Sequence, residues 1–223
     1  MTADVAVVTA IYGKYDPLRL YVPQSFYGSV EWVCVTDDPD LVCEGWRIVY
    51  EPRRHMHPRM GAKVPRARPD LYTDAPASIW IDAAYEVTSP EFVADVYDRL
   101  GSAHWAAFTG HRDCIYTEAM HNRQMPKYNG QELAQHAEHY RRQGHPAGWG
   151  LWLTGLIARP HLPILARLGD EWLREMVRWS VQDQISLPPL LRAYGLDVVT
   201  LPGDHVVYGN PWLTWHCHPR DHE

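Results

Sequence analysis

Short apolar segments separated by polar loops run through the first half of the chain. Val5–Val8 is continuously apolar, which is typical of a strand that is covered on both faces. Trp32–Val35, Arg47–Tyr50 and Ser78–Ile81 are rich in β-branched or aromatic residues and are also predicted to be strands. A further strand is predicted at Trp105–Phe108. The first half of the chain therefore predicts a sheet.

Helix signals follow these strands. Ser89, followed by a proline and then Glu91, is typical of a helix start, and Gly101 is a suitable stop. Together they predict a helix over Pro90–Leu100 with its apolar residues on one face.

The second half of the chain is more helical in pattern. A polar helix is predicted at Gln131–Gln143, and another at Asp170–Trp179 with Asp170 as its cap. Leu151–Ala158 is apolar and is either a buried strand or the end of a helix. Late strands are predicted at Val198–Leu201 and Val206–Tyr208.

A last helix contains two adjacent prolines. Because Pro188 and Pro189 are tolerated only in a first turn, this helix is predicted to start near Ser186 and to end before Gly195. Strands that alternate with helices favour an α/β fold whose sheet is mostly parallel in its N-terminal part. In such sheets ligands bind beyond the carboxyl ends of the strands.

Composition and charge narrow the class of protein. A length of 223 residues fits one domain, and a formal net charge of −6 disfavours a protein that coats nucleic acid or anionic lipid. No apolar run is long enough to span a bilayer, and the first residues lack the pattern of a signal peptide. Four cysteines form no CxxC pair. We therefore expect a cytoplasmic protein with reduced cysteines and no membrane partner.

Three loops at strand ends carry the candidate chemistry. Thr9–Asp16, Thr36–Asp38 and Asp82–Ala84 each follow a predicted strand, so they meet at one edge of the sheet if those strands are neighbours. Neither a dinucleotide fingerprint nor a P-loop motif is present. Asp82 is placed to hold a divalent cation, or it simply caps the strand end.

A basic segment lies between the third and fourth predicted strands. It is either a clamp for a diphosphate or a solvated basic loop, since arginine gives bidentate contacts and lysine a point charge. Its cations are Arg53, Arg54, Arg59, Lys63, Arg66 and Arg68.

Further polar residues in the second half of the chain each allow a functional and a structural interpretation. His216, Cys217 and His218 either complete a metal shell or are surface residues, and one cysteine with two histidines is a weak zinc pattern. Asp183 precedes a helix and is either its cap or a base towards an acceptor hydroxyl.

The order of these pieces resembles the glycosyltransferase-like family that includes plant mucilage-related proteins. The resemblance covers roughly residues 5 to 190. Each motif is short, and the specificity comes from their number and common order. The matching stretches are Thr9–Asp16, Val35–Pro39, Arg59, Lys63, Ser78–Asp82, His111–Ala119, Tyr140–Gly144 with Pro146, Gly150–Leu151, Arg159–His161 and Asp183–Ser186.

The resemblance implies a GT-A-like single domain over residues 1–223. Its first half, to about residue 110, would bind the nucleotide, and residues 111–223 would form the acceptor and sugar half with a C-terminal tail. The implied activity is transfer of a sugar from a nucleotide-sugar donor, most simply a UDP-sugar, to an acceptor hydroxyl. The acceptor stays open between a glycan, a protein, a small molecule and a modified nucleic-acid base.

The resemblance also implies roles for individual residues. The acid after the fourth strand would hold Mn²⁺ or Mg²⁺ with help from a C-terminal histidine, which here means Asp82 with His216 or His218. Because Asp82-Ala83-Ala84 keeps only the first carboxylate of the usual motif, the cations could instead act alone. Thr9, Ala10, Tyr12 and Asp37 would hold base and ribose, Arg59 and Lys63 the diphosphate, and His111 and Arg112 would also bind donor.

In the expected reaction the nucleoside diphosphate is the leaving group, and the cations of the basic segment stabilise the negative charge that develops on it. Asp183 or Glu118 would receive or orient the acceptor's proton. One alternative is a non-catalytic nucleotide-sugar or glycan-binding module. Another is a glycoside hydrolase that uses two carboxylates among Asp82, Asp113, Glu118 and Asp183. Trp149, Trp152 and Trp212 are either sugar-stacking residues or core residues.

Overall fold

The computed structural model describes residues 2–53, 56–204 and 209–216. Nine strands and six α-helices lie in these ranges. The strands are β1 (Val5–Ile11), β2 (Val30–Thr36), β3 (Arg47–Tyr50), β4 (Ala77–Ile81), β5 (Tyr85–Val87), β6 (Trp105–Thr109), β7 (Trp152–Pro160), β8 (Val198–Leu201) and β9 (Leu213–Trp215). The helices are α1 (Pro58–Ala67), α2 (Phe92–Leu100), α3 (Ile115–Asn122), α4 (Leu133–Arg142), α5 (Pro163–Arg178) and α6 (Asp183–Ala193).

Seven strands form one central sheet in the order β3-β2-β1-β4-β7-β6-β8. The pairs on the β3 side, from β3 to β4, are all parallel, and β6 pairs with β8 in parallel as well. Only β7 runs against its neighbours, β4 and β6. A separate antiparallel pair, β5 with β9, lies apart from this sheet. The predicted α/β, GT-A-like architecture with a mostly parallel sheet is confirmed.

Both faces of the sheet are covered, which explains the uninterrupted apolar pattern of β1. Val5 and Val7 pack on one face in a cluster that includes the buried residues of α2. Ala6 and Val8 pack on the other face with the apolar side chains of α5 and α6. Because helices lie on either side, every residue of β1 is buried.

Most predicted elements form where the sequence pattern places them, and Leu151–Ala158 belongs to strand β7. Two helix starts were predicted wrongly. Helix α5 begins at Pro163, so Asp170 lies inside it and pairs with Arg68 instead of capping. Helix α6 begins at Asp183, which leaves Pro188 and Pro189 within the helix because burial of its apolar residues outweighs the missing backbone hydrogen bonds.

Four elements were not predicted: α1, α3, β5 and β9. Helix α1 contains three of the six cations of the basic segment, Arg59, Lys63 and Arg66, so this part of the segment is an ordered helix and not a solvated loop. Its Pro58 occupies the first turn, where proline is favourable, whereas Gly61 and Pro65 disguise the helix in the sequence. The predicted strand Val206–Tyr208 lies outside the described residues. Among the helices that the structure describes, none has the length and apolar character needed to cross a membrane.

Candidate functional site

A cleft of about 750 Å³ opens at the carboxyl ends of β1 and β4. Because β7 is antiparallel to β4, the start of β7 lies at the same edge and lines the cleft with Leu153, Thr154 and Gly155. Helix α1 and the first residues of α6 also line the cleft. The cleft is therefore where ligands are expected to bind in an α/β sheet.

The loop after β1 is held by the loop after β2. Gly13 adopts a φ of 64°, which favours glycine, and its N–H donates to Oδ1 of Asp37 over 2.9 Å. Asp37 thus fixes the cleft wall from behind and does not line the cleft. Thr9 is buried within β1 and does not line it either, whereas Ala10 and Tyr12 do.

The Tyr12 ring is fixed against helix α1. A Cβ atom on Gly61 would come within 2.9 Å of this ring, so a glycine is required for the close approach. The Tyr12 hydroxyl accepts a hydrogen bond from Nε of Arg53 over 3.1 Å. Tyr12, which is 3% exposed, is therefore a rigid, largely buried part of the cleft wall.

Four charged side chains, Lys63, Arg66, Asp82 and Asp183, form the floor of the cleft and are called the charged quartet below. Arg66 donates to Asp82 through Nη2 and to Asp183 through Nη1. Lys63 Nζ donates to the same Asp183 oxygen over 2.5 Å. Thr154 donates to the other Asp183 oxygen over 3.0 Å. The quartet is internally neutral and joins α1, the end of β4 and α6, and Thr154 links it to β7.

The quartet fixes the protonation of its own members. Burial opposes ionisation of Asp183, but the adjacent Lys63 and Arg66 charges outweigh it and lower the pKa of Asp183 to about 2. Burial and the charge of Arg66 lower the pKa of Lys63 to about 8, against the attraction of Asp183. Asp183 is thus a permanent carboxylate, which makes it a weak base at neutral pH.

The two carboxylates of the quartet differ in their access to the cleft. The Asp183 side chain is 3% exposed, whereas the Asp82 side chain is 32% exposed. Oδ1 of Asp82 accepts from Arg66 and from Nε1 of Trp80, at 3.1 Å for the latter. No described residue donates to its other oxygen, Oδ2, so Asp82 can accept a hydrogen bond from a ligand.

Two further cations line the cleft with no carboxylate partner among the described residues. Nη1 of Arg59 donates to the backbone carbonyl of Lys127 over 3.0 Å, which ties α1 to the short 3₁₀ turn Pro126–Tyr128. Lys127 itself lies over the ring of Tyr128, 5.3 Å from its centroid. Arg59 and Lys127 are therefore available to an anionic ligand.

Glu118 lies behind the cleft wall and does not line it. It is buried and accepts from Arg112 Nε over 2.5 Å, from Asn122 Nδ2 over 2.6 Å and from Gln182 Nε2 over 3.1 Å. Gln182 does line the cleft, so Glu118 is placed to orient that amide and does not reach a ligand itself. His111 and Arg112 also lie outside the lining, and His111 Nε2 is 3.5 Å from Oδ2 of Asp204.

The described residues do not fit a divalent cation at Asp82. No cluster of three or more histidine, cysteine, aspartate or glutamate residues in the described ranges could hold a metal ion. Nε2 of His216 lies 2.7 Å from Oε2 of Glu86 and is occupied there. His218 and Cys217 lie outside the described residues, so their predicted role stays a prediction.

The aromatic residues of the cleft differ from those that the sequence suggested. Trp149, Trp152 and Trp212 do not line it, and Trp212 is fully buried with its Nε1 bonded to Asp95 over 2.9 Å. Tyr85 and Trp215, which face each other across the β5–β9 pair, line the cleft instead.

Sequence reasoning named Arg66 only as one cation of the basic segment. The spacing of Arg59, Lys63 and Arg66 follows i, i+4, i+7, which places all three on one face of a helix and was the signal available to find it. Thr154, Tyr128 and Trp215 carry no comparable local signal, because long-range packing brings them to the cleft.

Comparison with known proteins gives one family. The family model described as TOD1/MUCI70, glycosyltransferase-like domain, matches residues 31–194, about three quarters of the chain. This range includes most of the cleft, from α1 to the start of α6. No curated protein matches the chain.

Proposed function

Because the chain belongs to the TOD1/MUCI70 glycosyltransferase-like family, we propose that it transfers a sugar from a nucleotide-sugar donor to an acceptor hydroxyl. The observation that carries this proposal is the cleft at the sheet edge. There, two cations that have no carboxylate partner within the described part of the chain share the lining with a carboxylate, Asp82, one of whose oxygens accepts from no described residue. This combination suits a sugar attached to a diphosphate, which needs positive charge at one end and hydroxyl-binding groups at the other.

The donor would lie across the strand ends. Tyr12 and Ala10 would contact the base and ribose, and a UDP-sugar is the proposed donor. Arg59, Lys127 and the unused N–H groups of Lys63 would contact the diphosphate. The sugar would then lie over Asp82, against the aromatic wall of Tyr85 and Trp215.

In the proposed reaction, the oxygen of the acceptor hydroxyl forms a bond to the anomeric carbon of the sugar. The bond from that carbon to the diphosphate breaks, and its electron pair leaves on the phosphate oxygen. Arg59, Lys63 and Lys127 stabilise this charge more in the transition state than in the ground state. Asp82 accepts a hydrogen bond from the attacking hydroxyl and takes up its proton as the new bond forms, while Asp183 orients Lys63 and Arg66.

The first experiment is a binding screen with the full chain. UDP-, GDP- and TDP-sugars are added to the protein and the melting temperature is followed, because a ligand that binds only the folded state raises it. Nucleoside diphosphate release and sugar transfer to glycan, protein and small-molecule acceptors are then measured by mass spectrometry. Arg59→Ala should weaken donor binding, and Arg123→Ala, which removes an exposed arginine outside the cleft, should not.

The outcomes separate the alternatives. Donor binding with sugar transfer supports the proposal. Binding without turnover on any acceptor indicates a non-catalytic module, and release of sugar to water without a nucleotide indicates a glycoside hydrolase. If no nucleotide-sugar raises the melting temperature, the proposed donor class is wrong.

A further inference from the structure

One guanidinium lies between the two carboxylates of the charged quartet. Arg66 contacts Asp183 through Nη1 and Asp82 through Nη2. Nη1 also lies 3.3 Å from the Thr154 hydroxyl oxygen. Asp183 is 117 residues and Asp82 is 16 residues away from Arg66 along the chain, so only the tertiary fold brings these groups together. The arrangement surrounds a cation with oxygen atoms on several sides.

The same oxygen atoms would suit a small hard cation. Magnesium and manganese bind carboxylate and hydroxyl oxygens, and two carboxylates with one hydroxyl form the core of such a site. Here the Arg66 guanidinium fills that position, and its charge together with that of Lys63 neutralises both carboxylates.

Arg66 cannot easily leave this position. Only 7% of the residue is exposed, and its guanidinium lies 5.1 Å above the ring of Trp80. Displacement by a metal would leave a buried guanidinium without a carboxylate, which is strongly unfavourable. Helix α1, which carries Arg66, is held in turn by Arg159, whose Nη2 donates to the Arg66 carbonyl.

The charge of the cleft also favours binding of a diphosphate by side-chain cations. Four cationic side chains against three acidic ones line it, a net charge of +1, when Asp16 is counted with Asp82 and Asp183. The cations outside the carboxylate pairs, Arg59 and Lys127, are therefore left to neutralise a diphosphate. Arg59 and Lys127 carry two positive charges, which match the two negative charges of a nucleotide-sugar diphosphate, and Asp16 is the one further acidic side chain in the lining.

We propose that Arg66 takes the place of a divalent cation in this cleft, so that the protein binds its donor without a metal ion. The inference rests on the proposed function for the identity of the donor. It assigns to Asp82 the role of fixing Arg66 through one oxygen and a sugar or acceptor hydroxyl through the other.

The test begins with manganese alone. Full-length protein is treated with EDTA, dialysed and titrated with Mn²⁺, and free Mn²⁺ is counted by electron paramagnetic resonance. The wild-type chain should show no saturable binding. Arg66→Met, which frees Asp82, leaves Asp183 paired with Lys63 alone and keeps an apolar side chain over Trp80, should gain a saturable Mn²⁺ site. Asp82→Asn in the Arg66→Met background should lose it again.

The second measurement uses UDP-glucose and UDP-galactose as probes, titrated calorimetrically in EDTA and in excess Mn²⁺. Affinities that agree within about twofold between the two conditions support the inference. This measurement uses only the wild-type chain, so it remains decisive if Arg66→Met fails to fold.

The results distinguish the inference from the function on which it rests. Binding of a UDP-sugar only when Mn²⁺ is present overturns the metal-free inference and leaves the proposed donor class intact. Stoichiometric Mn²⁺ binding by the wild-type chain without nucleotide also overturns it. Failure of both probes and of GDP- and TDP-sugars under either condition overturns the proposed function and the inference together.

Discussion

The substitution Asp183→Asn tests the charged quartet most directly. It keeps the shape of the side chain and an oxygen that can accept from Thr154. It removes the negative charge that Lys63 and Arg66 share, and it directs an amide towards two groups that are themselves donors. Asp82 then remains as the one carboxylate in contact with Arg66 among the described residues.

The size of the effect follows from burial. The Asp183 side chain is 3% exposed, and those of Lys63 and Arg66 are 13% and 9% exposed. Removing one partner of a buried ion pair costs about 3–5 kcal/mol. For a chain of this length such a loss lowers the melting temperature by roughly 10 °C. The more exposed ion pair between Arg68 and Asp170 provides the matched control. Because the Asp170 side chain is 49% exposed, Asp170→Asn should lower the free energy of unfolding by at most about 1 kcal/mol.

Urea denaturation followed by tryptophan fluorescence measures both variants at pH 6 and pH 9. The loss for Asp183→Asn should be smaller at pH 9, because Lys63, whose pKa is lowered to about 8, is then largely neutral in the folded wild-type protein. If Asp183→Asn costs no more than Asp170→Asn at pH 6, the buried quartet does not exist as described.

Three other expectations concern donor binding, acid stability and the cleft wall. Arg59→Ala should weaken UDP-sugar binding at least about tenfold by calorimetry, whereas Arg123→Ala leaves it unchanged. The unfolded chain takes up a proton on Asp183 near its ordinary pKa of 3.8, and the folded protein does so only near 2. Wild-type stability should therefore fall by about 2 kcal/mol more than that of Asp183→Asn as the pH drops from 5 to 2, measured by urea denaturation. Gly155→Ala would place a Cβ atom 2.6 Å from the Tyr85 hydroxyl oxygen, so it should lower the free energy of unfolding, measured in urea, by about 1–3 kcal/mol. The displaced Tyr85 should also weaken donor binding, and an unchanged affinity would show that Tyr85 does not contact the donor.

Asp37 illustrates that a predicted location does not determine which groups a side chain contacts. The sequence predicted that the loops after β1 and β2 would meet at one edge of the sheet, and they do. Asp37 nevertheless uses its carboxylate on the N–H of Gly13, so it shapes the wall of the cleft from outside the lining. Glu118 is similar, since it lies behind Gln182.

Local patterns along the chain were sufficient for six of the seven strands of the central sheet, whereas the segment that forms β7 stayed open between a strand and a helix end. The unbroken apolar run of β1 requires cover on both faces, and the start and stop signals around α2 act within a few residues. These features depend on neighbours in sequence, so the α/β class and the edge that carries the cleft could be predicted. Helix α1 was missed because Gly61 and Pro65 oppose the local helix signal.

The tertiary structure alone decided which charges meet. Arg66 contacts Asp82 and Asp183 across separations of 16 and 117 residues, and β7 supplies Thr154 to the same cluster because it runs against its neighbours. No local periodicity encodes such contacts. They follow from the direction and register of packed strands and helices, and these depend on the summed burial of the whole core.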